Sequence, residues 1–76
     1  MRPYRNLSGD SGVVAYEIEP RAIRVRFAGG AVYRYTHASA GREQVETMKQ
    51  LAQAGQGLSG YIAQHVRDRY ESRLPG

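Results

Sequence analysis

The segment 23–35 holds the side chains best suited to chemistry, because arginines and tyrosines alternate there with apolar residues. These side chains are Arg24, Arg26, Tyr33, Arg34 and Tyr35. Guanidinium groups bind phosphates through a planar fork of donors, and tyrosine rings stack on flat groups such as nucleobases. The segment therefore predicts a surface for an anionic partner, and nucleic acid is the first partner to consider.

Period-two alternation predicts that three β-strands carry these side chains. The strands are expected at about 13–18, 22–27 and 31–36, with Gly29-Gly30 supplying the turn between the last two. In the first strand, Val14, Tyr16 and Ile18 are expected on one face. In the second, the apolar residues point to the core, so Arg24 and Arg26 point outward.

The face taken by Tyr33 and Tyr35 depends on the length of the glycine turn. A two-residue turn would pair Phe27 with Val32 and would place both tyrosines outside, where they could stack on bases. A three-residue loop or a glycine bulge shifts the register by one residue and exchanges the two faces. The tyrosines then join the core and Arg34 lies beside Arg24. Both registers leave a basic sheet face.

Two helices are predicted after the strands, because the apolar period changes to that of a helix. The first has Ser39 as its expected N-cap, carries Val45, Met48 and Leu51 on its apolar side, and ends at Gly55 and Gly57. The second is expected from about Ser59. Its inner stripe is formed by Tyr61, Ile62, Val66 and Tyr70, and Arg67, Arg69 and Arg73 lie near its C-terminal end.

The expected fold is a small α+β domain, with a three-stranded antiparallel meander and two C-terminal helices packed on one face. A chain of 76 residues is long enough for one core only. We expect residues 1–10 to form a flexible N-terminal arm, residues 11–73 to form the domain and residues 74–76 to form a tail.

Composition excludes several classes of function. The chain has no cysteine, so thiolate catalysis, disulfides and cysteine metal sites are excluded. Its net charge is +4, and ten of its eleven basic residues are arginine, since Lys49 is the one lysine. No apolar run has the length of a membrane span. We therefore expect a cytoplasmic protein that is not an enzyme, with no cofactor, metal, membrane or small-molecule substrate.

The chain has two histidines, His37 and His65, and neither belongs to a cluster of residues with metal-ligand spacing. His65 follows Tyr61 by four residues and borders the apolar stripe of the second helix. The interpretation favoured is a structural, hydrogen-bonded histidine, with a role in contacting a base as the alternative. His37 follows the third strand and is expected in a loop.

Several of these motifs together resemble the KTSC domain, which occurs at the C-terminus of some lysyl-tRNA synthetases and as short bacterial proteins. The matching residues are Tyr16, Val25-Arg26-Phe27, Gly29-Gly30, Tyr33-Arg34-Tyr35, His65-Val66-Arg67 and Tyr70. The resemblance covers roughly residues 11–73. This chain has Gly57-Leu58-Ser59, Tyr61-Ile62 and Ala63 where the family tends to show Ser-x-Gly, two aromatics and an asparagine. The role of the family is undetermined, and the synthetase context implies RNA binding.

The predicted function is therefore an RNA-binding module that uses a basic sheet face. The residues predicted to contact nucleic acid are Arg24, Arg26, Tyr33, Arg34, Tyr35, His65, Arg67 and Arg69. The alternative is a protein-interaction domain without a nucleic-acid role, whose partner could be a second copy of the chain. In that case, and with the tyrosines in the core, Val13 and Val32 are expected to form an apolar contact on the outer face of the sheet.

Overall fold

The described residues form an α+β fold in a computed structural model, which covers residues 1–9 and 11–75. Five antiparallel strands lie in the sheet in chain order. The elements are β1 (Arg2–Pro3), β2 (Val13–Glu19), β3 (Ala22–Phe27), β4 (Val32–Thr36), α1 (His37–Ala40), α2 (Arg42–Ala54), α3 (Leu58–Tyr61), a π-helix (Ile62–Val66) and β5 (Ser72–Leu74). The three predicted strands are the three central ones, so the sheet is larger than the sequence indicates.

A three-residue loop joins β3 to β4 and decides which face the tyrosines take. The amide of Phe27 donates to the carbonyl of Ala31, so residues 28–30 form the loop. Gly30 has a φ of 96°, which a residue with a side chain rarely adopts. Val25 therefore pairs with Tyr33, and Arg24 pairs with Arg34. Tyr33 and Tyr35 consequently lie on the helix side of the sheet.

A β-bulge in β2 overturns the predicted face of two valines. The register shifts between Val13 and Ala15, which leaves Val14 without a partner in β3. Val13 is 1% exposed and Val14 is 43% exposed, the reverse of what strict alternation predicts. Tyr16 is buried as expected, whereas Val13 belongs to the core and is not available for an apolar contact between outer faces.

The helical region begins earlier than predicted, and Gly41 divides it. Thr36, not Ser39, caps α1, since its hydroxyl accepts from the amide of Ser39 while the Ser39 hydroxyl is hydrogen-bonded to the amide of Thr36. Gly41 has a φ of 99° and ends α1 before α2 starts. The predicted end of α2 at Gly55 is confirmed, because Gly55 is left-handed and its amide donates to the carbonyls of Leu51 and Ala52.

The second predicted helix ends at Val66, earlier than its apolar stripe indicates. α3 begins at Leu58 and continues directly into the π-helix. Tyr70 lies beyond this helix, as do Arg69 and Arg73, and Arg73 belongs to β5. Of the arginines predicted near a helix C-terminus, Arg67 follows the π-helix directly, Arg69 lies in an irregular segment and Arg73 lies in an edge strand.

The sheet also extends into both ends of the chain. β1 pairs with β2 within the predicted arm, and Tyr4 next to it is 6% exposed. The hydroxyl of Tyr4 accepts from the amide of Leu58, which ties this segment to α3. Of the predicted arm and tail, Asp10 and Gly76 lie outside the described residues.

One hydrophobic cluster lies between the sheet and the helices. Ile23, Val25 and Tyr35 contribute from β3 and β4, and each is fully buried. The helices contribute Val45, Met48, Ala52, Leu58, Ile62 and Val66. The helices thus cover one face of the sheet, as predicted, and the opposite face carries Arg24, Arg26 and Arg34.

Candidate nucleic-acid interface

The predicted site residues separate onto two surfaces of the molecule. We call the uncovered side of the sheet the outer face, defined by Arg24, Arg26 and Arg34 on the central strands. Tyr33, Tyr35, His65, Arg67 and Arg69 belong to the helix side or to the segment that follows the π-helix. The alternation that places Tyr33 and Arg34 on consecutive positions of β4 also places them on opposite faces.

Two of the three outer-face arginines are held by carboxylates. Glu19 lies between them, with its Oε2 2.8 Å from Nε of Arg24 and its Oε1 2.9 Å from Nη2 of Arg34. The second fork nitrogen of Arg34, Nη1, lies 3.0 Å from Oε1 of Glu71. Arg34 therefore bridges two carboxylates and has little donor capacity left for a phosphate.

These ion pairs are present at neutral pH because the carboxylates stay ionised. The pKa of Glu19 is lowered from its ordinary value of 4.5, chiefly because Arg34 donates a hydrogen bond to its carboxylate. The positive charge of Arg34 and the contact with Arg24 lower it further. Arg34 likewise lowers the pKa of Glu71. With Glu17 opposite Arg24 in the register, the arginines face a similar number of carboxylates. The outer face is thus charge-balanced, which corrects the prediction of a basic sheet face.

Arg26 differs from its two neighbours on the outer face. It is exposed, it pairs with Ala15 on one side and Val32 on the other, and it makes no ion pair among the residues that the structure describes. Of the predicted outer-face arginines, Arg26 is the one whose guanidinium remains available to a ligand.

A chain of aromatic rings runs along the helix side from the β3–β4 loop to the core. The Tyr33 ring makes edge-to-face contacts with Phe27 and Tyr70, with centroids 5.2 Å and 4.8 Å apart. Tyr70 also contacts Tyr35 at 6.2 Å. Tyr35 is fully buried, whereas Tyr33 and Tyr70 are half-buried. Tyr35 is therefore a core residue, and Tyr33 and Tyr70 offer partly accessible rings.

The hydroxyl of Tyr35 connects the core to the segment after the π-helix. It donates to the backbone carbonyl of Arg67 over 2.9 Å. Burial raises the pKa of this phenol above its ordinary value of 10.0, so the hydroxyl remains a donor at physiological pH. The buried tyrosine thereby positions Arg67 without contacting solvent itself.

Arg67 has an unusual backbone conformation at the point where the π-helix ends. Its φ is 38° and its ψ is −105°, which side-chain-bearing residues rarely adopt. Its amide donates to the carbonyl of Ile62, and its Nε donates to the carbonyl of Ala63 over 2.9 Å. Such conformations persist only where the surrounding contacts impose them, and they concentrate at functional sites. The side chain of Arg67 is exposed.

Arg73 completes this surface from β5. Residues 33 and 73 pair in the register, and the guanidinium carbon of Arg73 lies 5.4 Å from the centroid of the Tyr33 ring. A concavity beside these rings is lined by Tyr33, Arg67, Asp68 and Tyr70. We call Tyr33, Arg67, Asp68, Tyr70 and Arg73 the tyrosine–arginine cluster.

Asp68, Tyr70 and Arg73 are members of this cluster that the predicted site does not include. Tyr70 stands out in the sequence as an aromatic residue at helical spacing, and that spacing assigns it to the apolar stripe of the second predicted helix, not to a binding site. Arg73 belongs to a strand of three residues, which is too short for alternation to reveal. No motif or spacing in the sequence singles out Asp68 as a binding residue.

Neither histidine has the environment that the sequence predicts. His65 is exposed, and its ring stacks on Tyr61 with centroids 4.3 Å apart and planes inclined by 29°. It makes no hydrogen bond through its ring within the described ranges, so the structural, hydrogen-bonded interpretation is wrong. His37 begins α1 instead of lying in a loop, and its Nε2 is 2.8 Å from Oε2 of Glu46.

No family model, curated protein or solved structure matches this chain. The resemblance to the KTSC domain therefore stays a prediction made from sequence motifs. Within residues 1–9 and 11–75, no helix is long and apolar enough to cross a membrane.

Proposed function

We propose that this domain binds single-stranded nucleic acid, with RNA as the ligand, through the tyrosine–arginine cluster. The observation that carries the proposal is the concavity in which two half-buried tyrosine rings lie beside Arg67, with Arg73 over one of the rings. Surfaces that bind single strands combine aromatic rings, on which bases stack, with cations that contact the backbone. RNA is chosen over DNA because the KTSC resemblance implies it.

The arginines in the cluster and next to it in the chain favour a polyanionic ligand. Arg69 and Arg73 make no ion pair in the described part of the chain, and Arg67 uses one guanidinium nitrogen on a backbone carbonyl. Their donor forks are thus available to phosphates, in contrast to that of Arg34, and none of the three pairs with a carboxylate among the described residues, whereas Arg24 does. A phosphate that binds at Arg34 must displace two carboxylates, whereas one that binds at Arg69 displaces only water and counterions.

The rings at the cluster favour unpaired bases over duplex. Tyr33 and Tyr70 are inclined by 87° to each other, so a base stacked on one ring meets the edge of the other. A base within a duplex is already stacked on both sides and has no face left for such a contact. Stacking on an aromatic side chain contributes roughly 1–3 kcal/mol per base, which is enough to favour a flexible strand.

A proton–nitrogen NMR titration with short single-stranded RNA tests this proposal and locates the surface. We expect shifts at Tyr33, Tyr70, Arg73 and their neighbours at low salt, and weaker binding at high salt because counterions are released. A single-stranded DNA of the same sequence and an RNA duplex serve as controls. No shifts with any of them, or affinity that does not change between about 50 and 300 mM salt, would contradict the proposal.

Self-association through the outer face is the second candidate, and one apolar pair favours it. Leu74 is 60% exposed and pairs in the register with Val32 on that face, beside arginines that carboxylates already neutralise. Both edges of the sheet are short and carry or adjoin a proline, so pairing of edge strands is disfavoured. A concentration-dependent dimer in sedimentation that Leu74→Ser abolishes, without oligonucleotide binding, would support this candidate.

A further inference from the structure

We infer that Asp68 makes the tyrosine–arginine cluster selective for an unpaired guanine. The inference rests on the proposed function and deepens it by naming the base. It starts from the one acidic side chain that lines the concavity, where Tyr33, Tyr70 and Arg67 surround it.

Asp68 is unusual because it lies among arginines without pairing to one. It follows Arg67 and precedes Arg69 in the chain, yet it forms no ion pair among residues 1–9 and 11–75. The other arginine-rich surface behaves differently, since Glu19 and Glu71 on the outer face pair with Arg34. The carboxylate of Asp68 is exposed and keeps both of its oxygens available.

A carboxylate at this position disfavours a ligand that presents only phosphate. Its charge repels the backbone, so it weakens the binding of every sequence unless it also accepts hydrogen bonds from the ligand. An ionised aspartate is an acceptor only, with two oxygens that can engage two parallel donors. A ligand with two neighbouring N–H groups would satisfy both oxygens and offset this repulsion.

Guanine is the standard base that meets this requirement. Its Watson–Crick edge carries the N1–H and N2–H donors side by side. On the Watson–Crick edge of adenine or cytosine, one amino donor lies next to a ring nitrogen that is an acceptor. Uracil has a single N–H donor between two carbonyl oxygens. These acceptors would face the carboxylate and repel it. Guanine stacked on Tyr70 would present this edge to Asp68, and Arg67 and Arg73 would contact the flanking phosphates.

Fluorescence anisotropy with a series of labelled RNA octamers tests the inference. Each octamer is oligouridine with a single central G, A, C or inosine. We expect the G octamer to bind roughly tenfold more tightly than the A and C octamers, the ratio typical of one bidentate base contact. Inosine lacks the N2 amino group and should bind with intermediate affinity.

The variant Asp68→Asn should reduce the preference for guanine to below about twofold, since its amide offers only one acceptor oxygen. The control Glu17→Gln makes the same change of charge on the outer face, where Glu17 is exposed and makes no ion pair in the described ranges. It should keep the preference. Both variants alter exposed side chains, so near-native circular dichroism is expected.

Two outcomes would overturn the inference and differ in what they say about the proposed function. If Asp68→Asn tightens all octamers equally and leaves their order unchanged, Asp68 only repels the backbone, and the proposal of RNA binding stands. Absence of any salt-dependent binding, by the native protein and by both variants, would overturn the guanine selectivity together with the RNA proposal.

Discussion

The outer face and the tyrosine–arginine cluster both present arginines, yet they offer different chemistry to a ligand. On the outer face, Arg24 and Arg34 share the carboxylate of Glu19, and Arg34 also contacts Glu71. At the cluster, Arg73 lies over a tyrosine ring and Arg67 donates to a backbone carbonyl. The first arrangement uses the guanidinium groups to stabilise the sheet, and the second leaves their charge available.

The difference shows that a count of arginines on a surface does not measure its capacity to bind a polyanion. What matters is whether carboxylates already occupy the donor forks and whether rings for stacking lie next to them. The outer face is well suited to hold three strands together. The cluster combines accessible rings with cations, which is the combination that single-stranded ligands require.

The largest effect is expected from reversing the charge of Arg73 in the cluster and that of Arg69, which precedes Tyr70 in the chain. Arg69→Glu together with Arg73→Glu should weaken RNA binding at low salt by more than about tenfold, because phosphate contacts dominate affinity. The matched control is Arg21→Glu with Arg42→Glu, which changes the net charge equally at two exposed arginines elsewhere. Equal losses in both double variants, measured by anisotropy, would mean that net charge and not the cluster governs binding.

A single reversal on the outer face sharpens the same comparison. Arg26→Glu replaces the outer-face arginine that makes no ion pair in the described residues, so the exchange leaves the pairs of Glu19 in place. We expect a loss of affinity below about twofold, since only long-range charge is altered. A loss equal to that of Arg69→Glu alone would place the outer face in the interface and remove the distinction between the two surfaces.

Glycine at position 67 should raise stability while it weakens binding, whereas alanine should only weaken binding. Arg67→Gly removes the guanidinium and suits a φ of 38°, so we expect weaker RNA binding and a gain of about 1 kcal/mol in the free energy of unfolding. Arg67→Ala removes the same guanidinium but keeps the unfavourable backbone, so it should weaken binding equally with no gain. Urea denaturation and anisotropy of both variants provide the measurements. Equal stability of the two would show that the conformation stores no strain.

Tyr35→Phe tests whether the buried hydroxyl positions Arg67. The exchange removes the donor to the Arg67 carbonyl, and we expect a loss of about 1 kcal/mol in the free energy of unfolding. Tyr33→Phe is the control, because its hydroxyl makes no hydrogen bond within the described part of the chain. If urea denaturation gives the same stability for both variants, the hydrogen bond of Tyr35 contributes little.

Acid should weaken the ion pairs of the outer face, with the smallest effect of the series. The folded-state pKa values of Glu19 and Glu71 lie below the ordinary value of 4.5, so their ionised forms favour the fold. This contribution is complete above pH 4.5 and is lost as the pH falls through the lower folded-state values. Below pH 4.5, the Tm of Glu19→Gln should fall less steeply than that of the native protein. Parallel curves from circular dichroism would show that the Glu19 pairs do not stabilise the fold.

Local patterns predicted the central strands well, because strand faces and helix ends depend on neighbouring residues. Ala22–Phe27 has the predicted bounds, and Gly55 ends α2 as its lack of a side chain allows. The capping box of Thr36 and Ser39 is local and was missed, whereas the bulge at Val14 depends on how β2 meets β3. The same reason explains why β1 and β5 were not predicted. They are too short to show a period-two pattern, and they form by pairing with β2 and β4.

The candidate site was predictable in its residue types but not in its arrangement. The sequence by itself determined that Arg24 and Arg26 point away from the core and that Tyr33 and Arg34 lie on opposite faces, because side chains alternate along a strand. Tertiary structure decided which arginines remain available. Glu71 reaches Arg34 across 37 residues of chain, and β5 brings Arg73 onto Tyr33. Such pairings depend on the packing of distant segments, which no local pattern encodes.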